Sequence, residues 1–233
     1  MNAKPRSVDA AAVLHRKPKY GSQTAASRAV ERIKEMIYDG NIVPGQRLIE
    51  ADLAAELDIA PGRIREALRI LAGEGVVDLI ANRGAVVSRI SSAGLIVLVQ
   101  ALAAIMIVGI REFVRTHPSP SPSVQRAINT ALNAIIDSKD APNRIILAKA
   151  GEFHALINHL GGNEYVNRFI AKLSIANYEA SLGELFSGRA RRDTGTIYRR
   201  LATALLEGNG ARATRIIENA VQRVINELEQ DLP

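Results

Sequence analysis

Leu53–Gly75 reads LAAELDIAPGRIREALRILAGEG, and the fold turns on how it is parsed. Leu53, Ala54 and Leu57 share one face of a short helix, while Ile64, Ala67, Leu68 and Leu71 recur at three- and four-residue spacing in a second. Asp58, Ile59 and Ala60 fill the connection. Pro61 suits the first position of the second helix, because its fixed φ fits there and its missing N–H would have had no partner. The spacing therefore predicts a helix-turn-helix. Arg63, Arg65 and Arg69 lie away from the apolar stripe, where guanidinium groups can reach phosphates or a guanine edge in the major groove. Exposed helix arginines are also ordinary solvated side chains, and Glu66 and Glu50 are available partners for Arg69 and Arg47.

Outward from this stretch the pattern extends in both directions. A preceding helix is predicted from about Ala25 to Asp39, with Val30, Ile33, Met36 and Ile37 on one face, ended by Gly40 and a Val43-Pro44-Gly45 turn. After it, Val76–Ile80 and Ala85–Ser88 are β-prone runs joined by Ala81-Asn82-Arg83-Gly84, which reads as a hairpin. Three helices and a hairpin make a winged helix, and the hairpin tip puts Arg83 where a long cation can enter the minor groove. The first twenty residues carry Lys4, Arg6, Arg16, Lys17 and Lys19 against the single acid Asp9. They lack the apolar core of a secretory signal and read as a mobile basic arm, either an ordinary terminus or a source of salt-dependent phosphate contacts. A net charge of +6 favours an anionic partner without naming one, and the absence of cysteine excludes disulfides and thiolate metal sites.

Residues 30–90 resemble the DNA-binding domain of GntR-family bacterial transcription regulators. The resemblance is carried by Gly40, Pro44-Gly45, Leu48, Leu53-Ala54, Leu57, Arg65-Glu66-Ala67-Leu68, Leu71, Glu74-Gly75 and Arg83-Gly84, with the spacing intact. It implies DNA contacts for Arg65, for the wing at Arg83 and Gly84, and secondarily for Arg47 and Arg69. Ala60 stands where the family usually has Ser or Thr, and Pro61 where it has a basic residue, so one helix cap and one DNA contact are missing. Arg63, where many relatives have Pro, supplies part of the lost charge.

Beyond Ser91-Ser92, whose hydroxyls can cap the next helix, the character changes. Leu95–Ile110 (LIVLVQALAAIMIVGI) is apolar apart from Gln100 and Gly109. Sixteen residues fall short of the roughly 20 needed to cross a bilayer, so a buried or dimer-forming helix is preferred and no membrane partner is expected. After the breaking run His117–Pro122, helical patterns follow at 122–138, 143–160, 162–187, 190–207 and 210–230, giving about six helices and no strand. The fold class is thus mainly α: an amino-terminal winged helix-turn-helix with a small β-hairpin wing, then an all-helical bundle. The expected divisions are an arm over 1–22, a DNA-binding domain over 23–90, and an effector-binding and dimerisation domain over 91–233.

That plan resembles the FadR subfamily, whose carboxyl-terminal domain is called FCD. Phe153-His154 with Leu156-Ile157, the Gly162-Asn163 turn, and Leu201, Ala204-Leu205 and Gly208-Asn209 carry the likeness. Many FCD domains hold a divalent metal through an Asp four residues before that His and two later His residues. Here the corresponding positions are Ala150, Tyr198 and Ala220, leaving His154 alone. His159 cannot substitute, because five residues turn a helix by about 500°, some 140° from alignment. No metal and no other cofactor is expected. His154 is then either a satisfied core histidine or part of a metal-free effector site with Asn158, Tyr198 and Arg199 or Arg200, suited to an organic acid or acyl compound. Ala103 and Ala104 would leave space for it. No Gly-rich phosphate loop, nucleophile elbow or His pair at ligand spacing points to an enzyme. The resulting expectation is a cytoplasmic, homodimeric repressor that binds palindromic operator DNA and responds to a small molecule. A ligand-independent DNA-binding dimer and a helical enzyme or carrier are the other readings.

Overall fold

The computed structural model describes residues 24–80, 84–170 and 188–230, divided between two compact units that part between Leu95 and Ile96. The first unit opens with α1 (Ala25–Tyr38). Thr24 caps it, accepting from the Ser27 amide at 3.1 Å, and Ala26, Ala29, Val30, Ile33, Met36 and Ile37 form its buried face. Strand β1 (Arg47–Leu48) follows, then α2 (Glu50–Leu57) and α3 (Pro61–Gly73). Asp58 ends α2 in the left-handed region at φ 52°, which a short polar side chain tolerates. The predicted helix-turn-helix is therefore present, with the proline at the start of α3 and Ile64, Ala67, Leu68 and Leu71 buried. Ala60 makes no side-chain cap, as its methyl requires.

Strands β2 (Val77–Ile80) and β3 (Gly84–Val87) lie within one residue of the predicted hairpin, whose tip at 81–83 is outside the described residues. The sheet has the antiparallel order β1-β3-β2, pairing Leu48 with Ala85 and Val77 with Val87. A two-residue strand carries no readable alternation, so β1 is an addition to the expected hairpin. Ala85 and Val87 face a core built with Ile33, Ile37, Leu48, Leu68 and Val76.

The second unit is helical throughout its described residues. Helix α4 spans Ser92–Thr116, with Ser91 capping it by accepting from the Gly94 amide at 3.2 Å. The others are α5 (Pro122–Asp137), α6 (Asn143–Leu160), α7 (Glu164–Ile170), α8 (Gly188–Leu206) and α9 (Gly210–Gln230). The predicted helix over 162–187 starts at Glu164, and its continuation past 170 lies outside the described residues. Ile110, Phe113, Ile128, Ile135, Phe153, Leu156, Ile157, Leu201, Leu205 and Ile217 build the core. Gly208, at φ +67°, closes the turn before α9, where a Cβ would sit 2.4 Å from the Pro118 carbonyl oxygen.

Helix α4 corrects the expectation drawn from length. The sixteen-residue apolar run is part of a 25-residue helix, which is long and apolar enough to cross a membrane. Its burial is one-sided. Val99, Leu102, Ala103, Ile110 and Phe113 are buried, whereas Val97 is 66% and Val108 47% exposed. Ala104 is also exposed, so only Ala103 of the small pair lies inside the core. A helix packed from one side covers only the residues that face its neighbours, and an all-apolar sequence does not announce which those are.

Candidate functional site

Helix α3 presents its arginines to solvent. Arg65 and Arg69 are four residues apart and stack along one face, while Arg63, two residues earlier, is turned about 160° away from Arg65. Arg63 is paired within its own helix, Nη1 donating to Glu66 Oε2 at 2.7 Å. Arg65 reaches across to the first residue of α2. Its Nε donates to Glu50 Oε1 and Oε2 at 3.1 and 3.0 Å, and its Nη2 donates to Oε2 at 2.7 Å.

The pairing anticipated from helix spacing is therefore replaced: Glu66 holds Arg63, and Glu50 holds Arg65. The Arg65 hydrogen bond lowers the Glu50 pKa below the ordinary carboxylate value, with Arg65 and Arg69 charge adding to it against slight desolvation. A carboxylate in the first turn of α2 is also favoured by the helix dipole. Arg47 is exposed on β1 in register with Val86. Gly84 opens β3 at φ +86°, and Arg83 lies outside the described residues. The structure thus brings Arg65, Arg69 and Glu50 together and leaves Arg63 on another face. Glu50 gives no sign of this role in the sequence, because its partner is fifteen residues away on a different helix.

In the second unit, polar side chains collect inside an apolar bundle. His154, 5% exposed, shares a hydrogen bond between Nε2 and Tyr198 Oη at 2.9 Å. Phe153 stands edge-on to both, with ring centroids 5.9 Å from His154 and 5.3 Å from Tyr198. Burial pushes the His154 pKa down to about 4, so the imidazole is neutral at pH 7. One turn on, buried Asn158 donates from Nδ2 to Asn167 Oδ1 at 3.0 Å, and Asn167 donates to the Ala155 carbonyl at 3.0 Å. Asn158 also presses on α4: a Cβ at Gly109 would sit 1.9 Å from its Oδ1.

Four predicted effector residues therefore divide. His154 and Tyr198 touch, Asn158 is engaged with Asn167, and Arg199 is exposed on α8. Asn167 belongs to the same polar network and Gly109 makes room for it, and neither is predicted from the sequence. Asn167 follows the Gly-Asn turn by four residues, and in the sequence Gly109 is no more than an interruption of an apolar run.

The donor set does not fit the metal that an FCD-type bundle implies. Ala150 and Ala220 offer no ligand atom, and Tyr198 offers a phenol that is hydrogen-bonded to the one imidazole. His159 is paired with Glu164. Among the described residues no group of three His, Cys, Asp or Glu could hold a metal ion.

A three-helix core with a two-element reading head and a β-sheet wing defines a winged helix-turn-helix, a DNA-binding class. Residues 25–87 match the model of the bacterial regulatory proteins, gntR family. Residues 25–87 of the first unit thus carry a DNA-binding domain of the gntR type, the kind found in transcription regulators. No curated protein matches the sequence.

Among solved structures, Escherichia coli McbR/YncC is similar with a TM-score of 0.70 at 17% identity, covering 89% of this chain and 98% of its own. A protein of Rhodococcus sp. RHA1 described as a GntR transcriptional regulator gives 0.72 at 18% identity over 89% of this chain and 99% of its own. Listeria monocytogenes Lar, described as controlling expression of the agr system, gives 0.61 at 17% identity over 91% and 99%. These likenesses concern the fold, and they extend the agreement from the winged helix to the helical bundle.

Proposed function

We propose that this chain is a cytoplasmic, homodimeric repressor of the FadR subfamily, with an FCD-type second domain that senses a small molecule. The observation that carries the DNA half of this reading is the exposed Arg65–Arg69 face of α3 within a GntR-type domain. Arg65 reads a base or holds a phosphate; Arg63, Arg69, Arg47 and the wing at Arg83 and Gly84 add contacts, and the basic residues of the arm over 1–22 add salt-dependent ones. The domain roles follow: 23–90 binds operator DNA, and 91–233 dimerises and binds the effector.

Dimerisation is supported by the exposed apolar side of α4, where Val97 and Val108 offer a second copy an apolar surface. Two-fold symmetry then calls for a palindromic operator. Arg65→Ala is expected to weaken binding to the preferred sequence about 5- to 150-fold, measured by fluorescence anisotropy. Unchanged affinity would remove Arg65 from the interface.

For the effector half, the supporting observation is the hydrogen bond between buried His154 and half-buried Tyr198 inside the bundle. A carboxylate or carbonyl oxygen could take the place of one partner, with Arg199 or Arg200 at the periphery. A thermal-shift panel of organic acids and acyl compounds tests it, a rise that His154→Phe abolishes being the expected result. One observation favours a ligand-independent dimer instead: the Asn158 amide is already spent on Asn167 and packed against Gly109. No shift across the panel would establish that reading.

A further inference from the structure

We propose that Glu50 is a positioning residue for base recognition: its carboxylate holds the side edge of the Arg65 guanidinium so that the terminal edge is presented, pre-oriented, to a guanine. This rests on the reading that α3 enters DNA.

The donors of the guanidinium can be counted. It has five N–H groups. Glu50 takes Nε–H and one hydrogen of Nη2 in a side-on, two-pronged contact. Three donors remain, two on Nη1 and one on the outer side of Nη2, and one from each nitrogen forms the terminal edge. A guanine presents O6 and N7 as paired acceptors in the major groove and needs two parallel donors. The free edge of Arg65 supplies them without breaking the Glu50 contact.

The arrangement also spans two elements. Glu50 is fixed at the start of α2 and Arg65 lies in the first two turns of α3, so the carboxylate registers the side chain against the helix that precedes the turn. A free arginine must lose its rotamer freedom on docking, whereas the Glu50 contact already restricts this one. Charge sharpens the distinction. The Glu50–Arg65 pair is neutral as a unit and releases little counterion, so it adds discrimination between sequences more than affinity for any DNA. As an exposed ion pair it contributes little to folding.

The test uses the full chain with Glu50→Gln, Arg65→Lys and the double variant Glu50→Gln/Arg65→Lys. Each is assayed on a randomised duplex pool for base preference and on one fixed mixed-sequence duplex for affinity between about 50 and 200 mM salt. Glu50→Gln is expected to lose about 5-fold or more of discrimination at a single base pair of the half-site. Its salt slope on the mixed duplex steepens by about 0.9, because an uncompensated Arg65 now neutralises a phosphate. Arg65→Lys keeps the charge but not the fork, and is expected to lose preference at the same base pair. The double variant then discriminates there no worse than either single one.

Three results overturn the proposal. One is Glu50→Gln with tighter binding and unchanged preference, which would make Glu50 only a repulsive charge. Another is equal loss on all sequences together with a lowered Tm, which would make the pair structural. The third is Arg65→Lys with unchanged preference. If the unaltered chain shows no salt-dependent DNA binding at all, the DNA reading itself fails, and that outcome is distinct from the other three.

Discussion

The two units handle polarity in opposite ways. In the winged helix, charge stays at the surface: Arg63, Arg65, Glu50 and Glu66 are paired across water-exposed helix faces. In the bundle, polar groups are taken inside, and they are kept neutral. His154, Asn158 and Asn167 are buried, and each is satisfied by a neutral partner. Physical chemistry predicts this division, because an ion at the surface costs little to keep and one in the core costs several kcal/mol. Substitutions in the two regions therefore have different readouts. Changes in the first alter recognition with little change in stability, and changes in the second alter stability first.

Phe153→Ala should give the largest effect. Phe153 is fully buried against His154 and Tyr198, and its truncation is expected to cost about 3–5 kcal/mol in urea denaturation. A loss below about 1 kcal/mol would show that the aromatic cluster is not a packed core. Next comes acid. His154 has its folded pKa depressed by burial to about 4 from 6.5, so the unfolded chain takes up a proton that the folded one refuses. Stability is complete above about pH 6.5 and falls as pH drops towards 4, by on the order of 3 kcal/mol from this group. Denaturation midpoints across that window measure it, and His154→Gln should remove the His154 share of the slope; an unchanged slope would place the titration elsewhere.

Asn158→Ala leaves the Asn167 carbonyl oxygen without its donor and is expected to cost about 1–3 kcal/mol. On the other side of the comparison, Ala60→Ser supplies the missing cap of α3 and should gain about 1 kcal/mol with no change in fold. Smallest of all, Arg63→Ala removes an exposed i,i+3 pair and is expected to shift stability by less than about 0.5 kcal/mol. A larger loss there would blur the line between the two units.

The same contrast explains what could be seen in the sequence. The helix-turn-helix was legible because its information is local: a 3–4 stripe, a proline at a helix start and residues suited to a tight turn. The wing was legible to within one residue for the same reason. Contacts between distant residues were not. Glu50 finds Arg65 on another helix, and Asn158 finds both Asn167 and Gly109 through packing that no periodicity encodes. The sequence offers Glu66 and Glu50 as possible partners of Arg69 and Arg47, and in the fold they hold Arg63 and Arg65 instead, because spacing does not say which way a long side chain turns. Helix α4 shows the limit most plainly, because a run in which nearly every residue is apolar carries no stripe and so no orientation. His154 and Tyr198, on two different helices, are likewise brought together by packing that helical spacing does not encode.

Gly208 has a further consequence for how this protein tolerates change. The obstacle above it is a peptide oxygen, 2.4 Å from where any Cβ would be, and its φ of +67° already disfavours every side chain. In a saturation scan, core positions such as Ile135 grade their losses by the volume removed or added. Position 208 would not grade. Alanine meets the same oxygen that tryptophan meets, so the whole row would be nearly flat and uniformly low, the pattern left when main chain rather than a side chain decides what fits.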